Sequence, residues 1–238
     1  MGLDVYVGSL TRYYSGDWET VVQKWGRESG TPVHVVRPQA DPAEAVRDPQ
    51  QIGPVVLAWR KQLGAALGEH LNGALAWNES HEAPYFTDKP TWDCYGDLLL
   101  WAAYAEHSDL PRPAQHAADY RKDPAYQASN RAGFATRYPH LLCADLELWL
   151  PCRFTCVFRA LTLSGQETTI GSSVELLRQL RQLNAQTWQA DGAAVAGWRQ
   201  AGAAHGAPLE QGARCAFAIL SQLAEESVRH RLPMKLDY

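Results

Sequence analysis

The sequence predicts an α+β protein, a small mixed or antiparallel sheet packed by several helices. Three observations lead there. Short stretches with period-two alternation fall near 3–9, 33–37, 143–150 and 154–161. Longer stretches with helical periodicity are segregated from them rather than strictly alternating, which argues against a doubly wound parallel sheet. The apolar fraction of 46% and charged fraction of 20% are those of an ordinary globular chain. With 238 residues and no sharp shift in composition, the reading is one globular domain over 1–238.

Leu3, Val5 and Val7 alternate against Asp4 and Tyr6, giving a half-buried strand. Thr11 to Gly16 reads as a turn carrying Arg12, Tyr13 and Tyr14. Asp17 is placed to cap a helix on which Trp18, Val21, Val22 and Trp25 share a buried face. Val33 to Val36 reads as a second strand and Arg37 to Gly53 as a linker. Pro54 opens a helix with Val55, Val56, Trp59, Leu63, Leu67 and Leu71 on its apolar side, closed near Gly73.

After a loop, Asp93 to His107 forms a helix that is apolar around much of its circumference, so it is expected at the centre. His116 to Gly133 is polar and weakly helical, a surface segment. Leu146, Leu148 and Leu150 alternate with Asp145, Glu147 and Trp149, and Phe154, Cys156 and Phe158 alternate with Arg153, Thr155, Val157 and Arg159. These read as a hairpin with a three-residue turn, Pro151 to Arg153, which sets Leu150 by Phe154 and Asp145 opposite Arg159. Gln166 to Ile170 adds a strand. Ser172 and Glu175 form a capping box for a helix to about Trp188. Asp191 to Ala201 is a short helix. A long one follows Pro208 with Ala213, Ala216, Phe217, Leu220 and Leu223 as its core face, and Leu232 to Tyr238 is a tail.

Chemistry concentrates in one stretch. Trp77, Tyr85, Phe86 and Trp92 are interleaved with Glu79, His81, Glu82, Asp88, Lys89 and Asp93 on the loop before the central helix. Aromatic anchors with acidic groups suit recognition of a partner or small ligand, so Trp77, Glu79, His81, Tyr85, Asp88, Trp92 and Asp93 are the candidate binding residues. A compact acidic chain of this kind suits an immunity-type inhibitor that plugs a toxin-like partner. The net charge of −4 and the lack of a Lys/Arg block exclude a broad nucleic-acid footprint. No apolar run is long enough to cross a bilayer, and no signal peptide is visible. Five unevenly spaced cysteines fit free thiols in a reducing cytoplasm. Glu79, Glu82, Asp88 and Asp93 with His81 could bind a divalent cation or do acid–base work, but their spacing matches no metal-binding motif and no phosphate-cradling motif occurs, so no metal or cofactor is assigned.

Cys94, at a helix start, is where orphan N–H groups and the helix dipole lower a thiol pKa, as a nucleophile needs. The run Asp93-Cys94-Tyr95-Gly96, an apolar helix, then Leu110-Pro111-Arg112 resembles the NlpC-type papain-like cell-wall endopeptidases over about 25 residues. Tyr95 stands where that family has Ser, and no Gly-His strand motif follows. The resemblance implies a thiol hydrolase or acyltransferase with Cys94 as nucleophile and His140, before the Asp145 strand, as base. Met1 to Gly8 and Leu232 to Tyr238 also resemble an uncharacterised bacterial family to which no activity is attached.

Overall fold

In the computed structural model, residues 3–31, 48–71, 73–204 and 206–238 are described. The strand expected at Val33 to Val36 and most of the linker lie outside them. The architecture is α+β, with a six-stranded mixed sheet in the order β2-β1-β6-β3-β5-β4. The strands are β1 (Asp4–Val7), β2 (Phe86–Asp88), β3 (Leu146–Leu150), β4 (Phe158–Leu161), β5 (Glu167–Ser172) and β6 (Met234–Asp237). The helices are α1 (Leu10–Ser15), α2 (Val21–Glu28), α3 (Pro49–Leu67), α4 (Trp92–Glu106), α5 (Pro124–Ala132), α6 (Pro139–Leu142), α7 (Ser173–Gln186), α8 (Gly192–Ala201) and α9 (Leu209–His230).

Two apolar clusters cover the two faces of the sheet. One joins Val5, Val7, Trp149 and Met234 to α4, α7 and α9. The other joins Leu148, Leu150 and Ile170 to Ile52, Val56, Trp59 and Leu63 of α3. Because both faces are covered, Trp149 on the side expected to be polar is fully buried, and its indole N–H donates to the His140 carbonyl at 2.8 Å. A register shift between Leu146 and Leu148 turns Leu146 to the α4 side with Trp149.

The expected hairpin does not form. β5 lies between β3 and β4, parallel to the first and antiparallel to the second. Residues 151–157 do not turn tightly; Cys152, Phe154 and Val157 are buried. Their backbone is held by side chains instead: Ser172 Oγ donates to the Cys152 carbonyl at 2.6 Å, and His140 Nε2 to the Thr155 carbonyl at 3.1 Å. Alternation thus marked Leu146, Leu148, Leu150 and Phe154 as buried correctly, but Trp149 and Val157, expected on the polar side, are buried too, Cys156 and Phe158 are only half-buried, and the pairing differs, since period two says nothing about the neighbour. Arg159 still meets Asp145 at 3.7 Å, through β5, but both side chains are exposed and the pair adds little.

Four local expectations change. The stretch after β1 is helix α1, with Ser9 as cap, not a turn. Thr20, not Asp17, caps α2, and Trp25 is 62% exposed rather than core. α3 begins at Pro49 behind the Asp48 cap and ends at Leu67, so Pro54 lies inside its length and Gly73 beyond it. The carboxy-terminal stretch is no tail: β6 sits between β1 and β3, with Met234 and Leu236 buried and Lys235 and Asp237 less so.

Candidate functional site

The loop from Trp77 to Asp93 divides into a part that holds the fold and a part that borders a cleft. Glu79 belongs to the first. Its carboxylate accepts from the Leu10 and Thr11 N–H groups at 3.2 and 2.9 Å and from the Thr11 hydroxyl at 2.9 Å. It also accepts from the indole N–H of buried Trp77. Free N–H groups at a helix start need acceptors, and here a remote carboxylate supplies them. His81 meets Asp17 at 2.9 Å, and its carbonyl takes the Arg12 guanidinium. Tyr85 stacks on Tyr6 beneath Arg12, whose guanidinium carbon is 5.1 Å from the ring centre. Asp88 is clamped by Arg199 Nε and Nη2 at 2.8 and 2.7 Å. These polar groups are committed internally, which is what an isolated sequence run of carboxylates conceals.

Trp92 opens α4 and is half-buried. It meets Tyr95 and Tyr238 edge-on, with ring centres at 6.4 and 5.0 Å. Beyond it lies a cleft of about 250 Å3, lined also by Tyr120, Arg121, Tyr126, Asn130 and Glu147. Tyr95 and Tyr126 are only 5% and 7% exposed. Neither hydroxyl has a hydrogen-bond partner among the described protein residues. Burial raises the pKa of both, that of Tyr126 to about 12, so both stay protonated and able to donate. Tyr120 meets Tyr126 edge-on at 5.1 Å, and Arg121 lies over the Tyr120 ring. The sequence reading missed these tyrosines because they come from α4, α5 and the segment between them. Of the candidate binding residues, only Trp92 lines this cleft.

Cys94 sits one residue from Tyr95 but faces a different cavity, of about 80 Å3, lined by Thr91, Asp93, Asp97, His116 and Gly212 among others. Thr91, not Asp93, caps α4, its hydroxyl oxygen accepting from the Cys94 N–H at 3.1 Å. His116 Nδ1 is 2.7 Å from Asp97, and Nε2 is 3.4 Å from Asp93. His116 reaches α4 because its strand-like neighbours are pinned across the start of α9: Gln115 bridges Pro208, and the Leu209 N–H donates to the Ala114 carbonyl at 3.2 Å. Asp97, almost fully buried, lies against Gly212, where a Cβ would come within 2.0 Å of its carboxylate oxygen. The spacing of Asp93 and Asp97, one helical turn apart, was the available signal for this cluster; nothing in the sequence marked His116.

Both ring nitrogens of His140, the base expected for Cys94, are engaged with backbone groups. Its Nδ1 accepts the Ser172 N–H at 3.0 Å, and its Nε2 donates to Thr155. Burial lowers its pKa, consistent with a neutral ring that ties α6 to β5. The Leu110-Pro111-Arg112 run likewise has a packing role, with Arg112 3.9 Å from the centre of the Trp101 ring. All five cysteines are free. Among the described residues, no group of three or more His, Cys, Asp or Glu side chains is placed to hold a metal ion, and no helix is long and apolar enough to cross a membrane. Comparison with protein-family models, curated proteins and solved structures gives no match.

Proposed function

We propose that the chain is a binding protein for a small polar ligand with a flat apolar face, taken up in the cleft beside Trp92. The observation that carries this is a cavity of about 250 Å3 walled by Trp92, Tyr95, Tyr120, Tyr126 and Tyr238, two of which, Tyr95 and Tyr126, have hydroxyls with no hydrogen-bond partner among the described residues. A hydroxyl without a protein partner keeps its donor and acceptor capacity for solvent or a ligand. Concave aromatic walls with a few polar groups are the usual form of a ligand site. Trp92 and Tyr120 offer ring surface, while Arg121, Asn130 and Glu147 offer charge and amide contacts at the rim.

A small ligand suits this geometry better than a toxin-like protein. A protein-binding loop needs free anchors, whereas Trp77 is buried and Glu79, His81 and Asp88 are engaged within the chain. The five free thiols suit the cytoplasm. Saturation-transfer NMR against a panel of nucleosides, phenols and monosaccharides tests the reading. The expected result is binders whose signal disappears in Trp92→Ala and falls at least about tenfold in affinity in Tyr126→Phe, the loss of one to two hydrogen bonds. Binding that survives both substitutions would overturn it.

A further inference from the structure

Charge on the aromatic cleft is unbalanced. Its lining carries two carboxylates, Asp145 and Glu147, against one guanidinium, that of Arg121. Arg121 is exposed, so water and salt screen it. Its guanidinium carbon lies 5.2 Å from the centre of the Tyr120 ring, so it already has a seat. Asp145 is exposed too and meets Arg159 at 3.7 Å. Glu147 decides the balance. It is half-buried on β3, and its carboxylate accepts from the Tyr238 hydroxyl and, at 3.4 Å, from the Thr168 hydroxyl. Among the described residues no Lys, Arg or His reaches it within ion-pair distance. Lys235 acts on it only at longer range, with its ammonium donating to the Leu236 carbonyl at 3.2 Å. A half-buried carboxylate with neutral hydroxyls for partners keeps its negative charge beside the cavity.

The walls add to this. Trp92 meets Tyr95 and Tyr238 at interplanar angles of 80° and 74°, and Tyr120 meets Tyr126 at 86°. Rings set edge to face form corners, and a guest in a corner lies on ring faces, the negative side of the π quadrupole. Such faces attract an organic cation, more strongly where water is excluded. The seat of Arg121 on Tyr120 is one instance within the chain. An anion would meet the same faces and Glu147 with like sign, with Arg121 alone among the described lining residues to offset them. At about 250 Å3 the cavity falls just short of the ~300–1,000 Å3 of drug-sized sites, which suits a single ring with small substituents.

We propose that the cleft beside Trp92 selects a flat organic cation, a single ring bearing a permanent positive charge, over neutral and anionic rings of the same shape. The proposal deepens the small-ligand reading of the cleft and rests on it. Attraction to ring faces and to Glu147 supplies the preference for charge. The hydroxyls of Tyr95 and Tyr126 serve polar substituents on the ring, which neutral and charged guests share.

The test uses three rings of one shape and three charges: 1-methylnicotinamide, a cation; nicotinamide, neutral; and nicotinate, an anion. Titration calorimetry of the full chain should give an affinity for 1-methylnicotinamide at least about tenfold above that for nicotinamide, with nicotinate the weakest. Raising salt from about 0.01 M to about 1 M, which shortens the Debye length from about 30 Å to about 3 Å, should weaken the cation several-fold and leave nicotinamide unmoved. Glu147→Gln should cut the ratio of the two affinities at least about fivefold, and Trp92→Ala should abolish binding of both. Nicotinamide or nicotinate binding as tightly as the cation, and lost in Trp92→Ala, would overturn the charge selection and leave the cleft reading standing. No binding of 1-methylnicotinamide, or binding that Trp92→Ala leaves intact, would overturn it as well, and the wider ligand panel then decides the cleft reading by itself. The three affinities and their salt dependence are read on the unsubstituted chain, so they decide the charge selection even where a variant fails to fold.

Discussion

Replacing Glu79 tests whether the acidic loop serves the fold or a partner. Its carboxylate takes the Leu10 and Thr11 N–H groups, the Thr11 hydroxyl and the Trp77 indole. Leu10, Thr11 and Trp77 are 1%, 3% and 5% exposed, so little water can replace a lost acceptor. A hydrogen bond to a charged group is worth about 1.5–3 kcal/mol, and a buried donor left alone costs about 1–3 kcal/mol. These effects overlap on one carboxylate and do not sum. Glu79→Ala should therefore cost about 3–5 kcal/mol, a large share of the 5–15 kcal/mol typical of a whole domain. At about 2–4 °C per kcal/mol for a chain of this size, Tm should fall by about 6–20 °C. Glu79→Gln keeps one acceptor oxygen but turns an amide N–H₂ toward donors, and should cost about 1–3 kcal/mol. Urea denaturation followed by far-UV circular dichroism measures both. A loss below about 1 kcal/mol in Glu79→Ala would mean that the carboxylate is not a structural cap and would return it to the candidate binding residues.

Other outcomes follow from the same contacts. Glu106 accepts from Ser129, Thr136 and the Arg137 N–H. Burial would raise its pKa, but these bonds and His107 outweigh that and lower it. Its contribution is therefore full above the ordinary carboxylate value of 4.5 and is lost as pH falls through the lower folded value. Glu106→Gln should cost about 1–3 kcal/mol at pH 7 and flatten the acid limb of the stability profile, measured by urea titration at several pH values; an unchanged limb would count against the assignment. Gly212→Ala would usually stabilise a helix interior by up to about 1 kcal/mol. Here the new Cβ would meet the Asp97 carboxylate at 2.0 Å, so a net loss of about 1–3 kcal/mol is expected, and a gain would show that α4 and α9 are less tightly apposed. His140→Ala should destabilise the chain by about 2–4 kcal/mol through loss of its bonds to Ser172 and Thr155, measured by urea denaturation; a loss below about 1 kcal/mol would count against its role as a tie between α6 and β5.

Much of the fold was legible from periodicity because burial imposes it directly. The apolar faces of α9 and α7, that of α3 apart from exposed Val55, and the strand stretches β1 and β3 are read from side chains that must leave water, although both faces of those strands prove to be covered. What period cannot carry is partnership. Leu150 and Phe154 alternate as a hairpin would, yet β5 takes the place beside β3. β6 was passed over although Met234 and Leu236 alternate with Lys235 and Asp237, because four residues after a long helix give little signal by themselves. Trp25 shows the reverse error: its spacing is that of a buried stripe, and it is exposed. In the sites, Cys94 and Trp92 were visible from composition and position. Their neighbours, His116 on one side of α4 and Tyr120 and Tyr126 on the other, arrive by long-range packing that no local pattern announces. Conversely, Glu79 and Asp88 looked available only because Leu10, Thr11 and Arg199 are distant in sequence.

Ligand binding in the aromatic cleft is tested most directly by mapping backbone and aromatic-ring chemical shifts as the strongest binder from the panel is titrated into the unsubstituted protein. Shifts should cluster on Trp92, Tyr95, Tyr120, Tyr126 and Tyr238. Shifts confined to residues 77–82, or scattered over surfaces away from the cleft, would contradict the account.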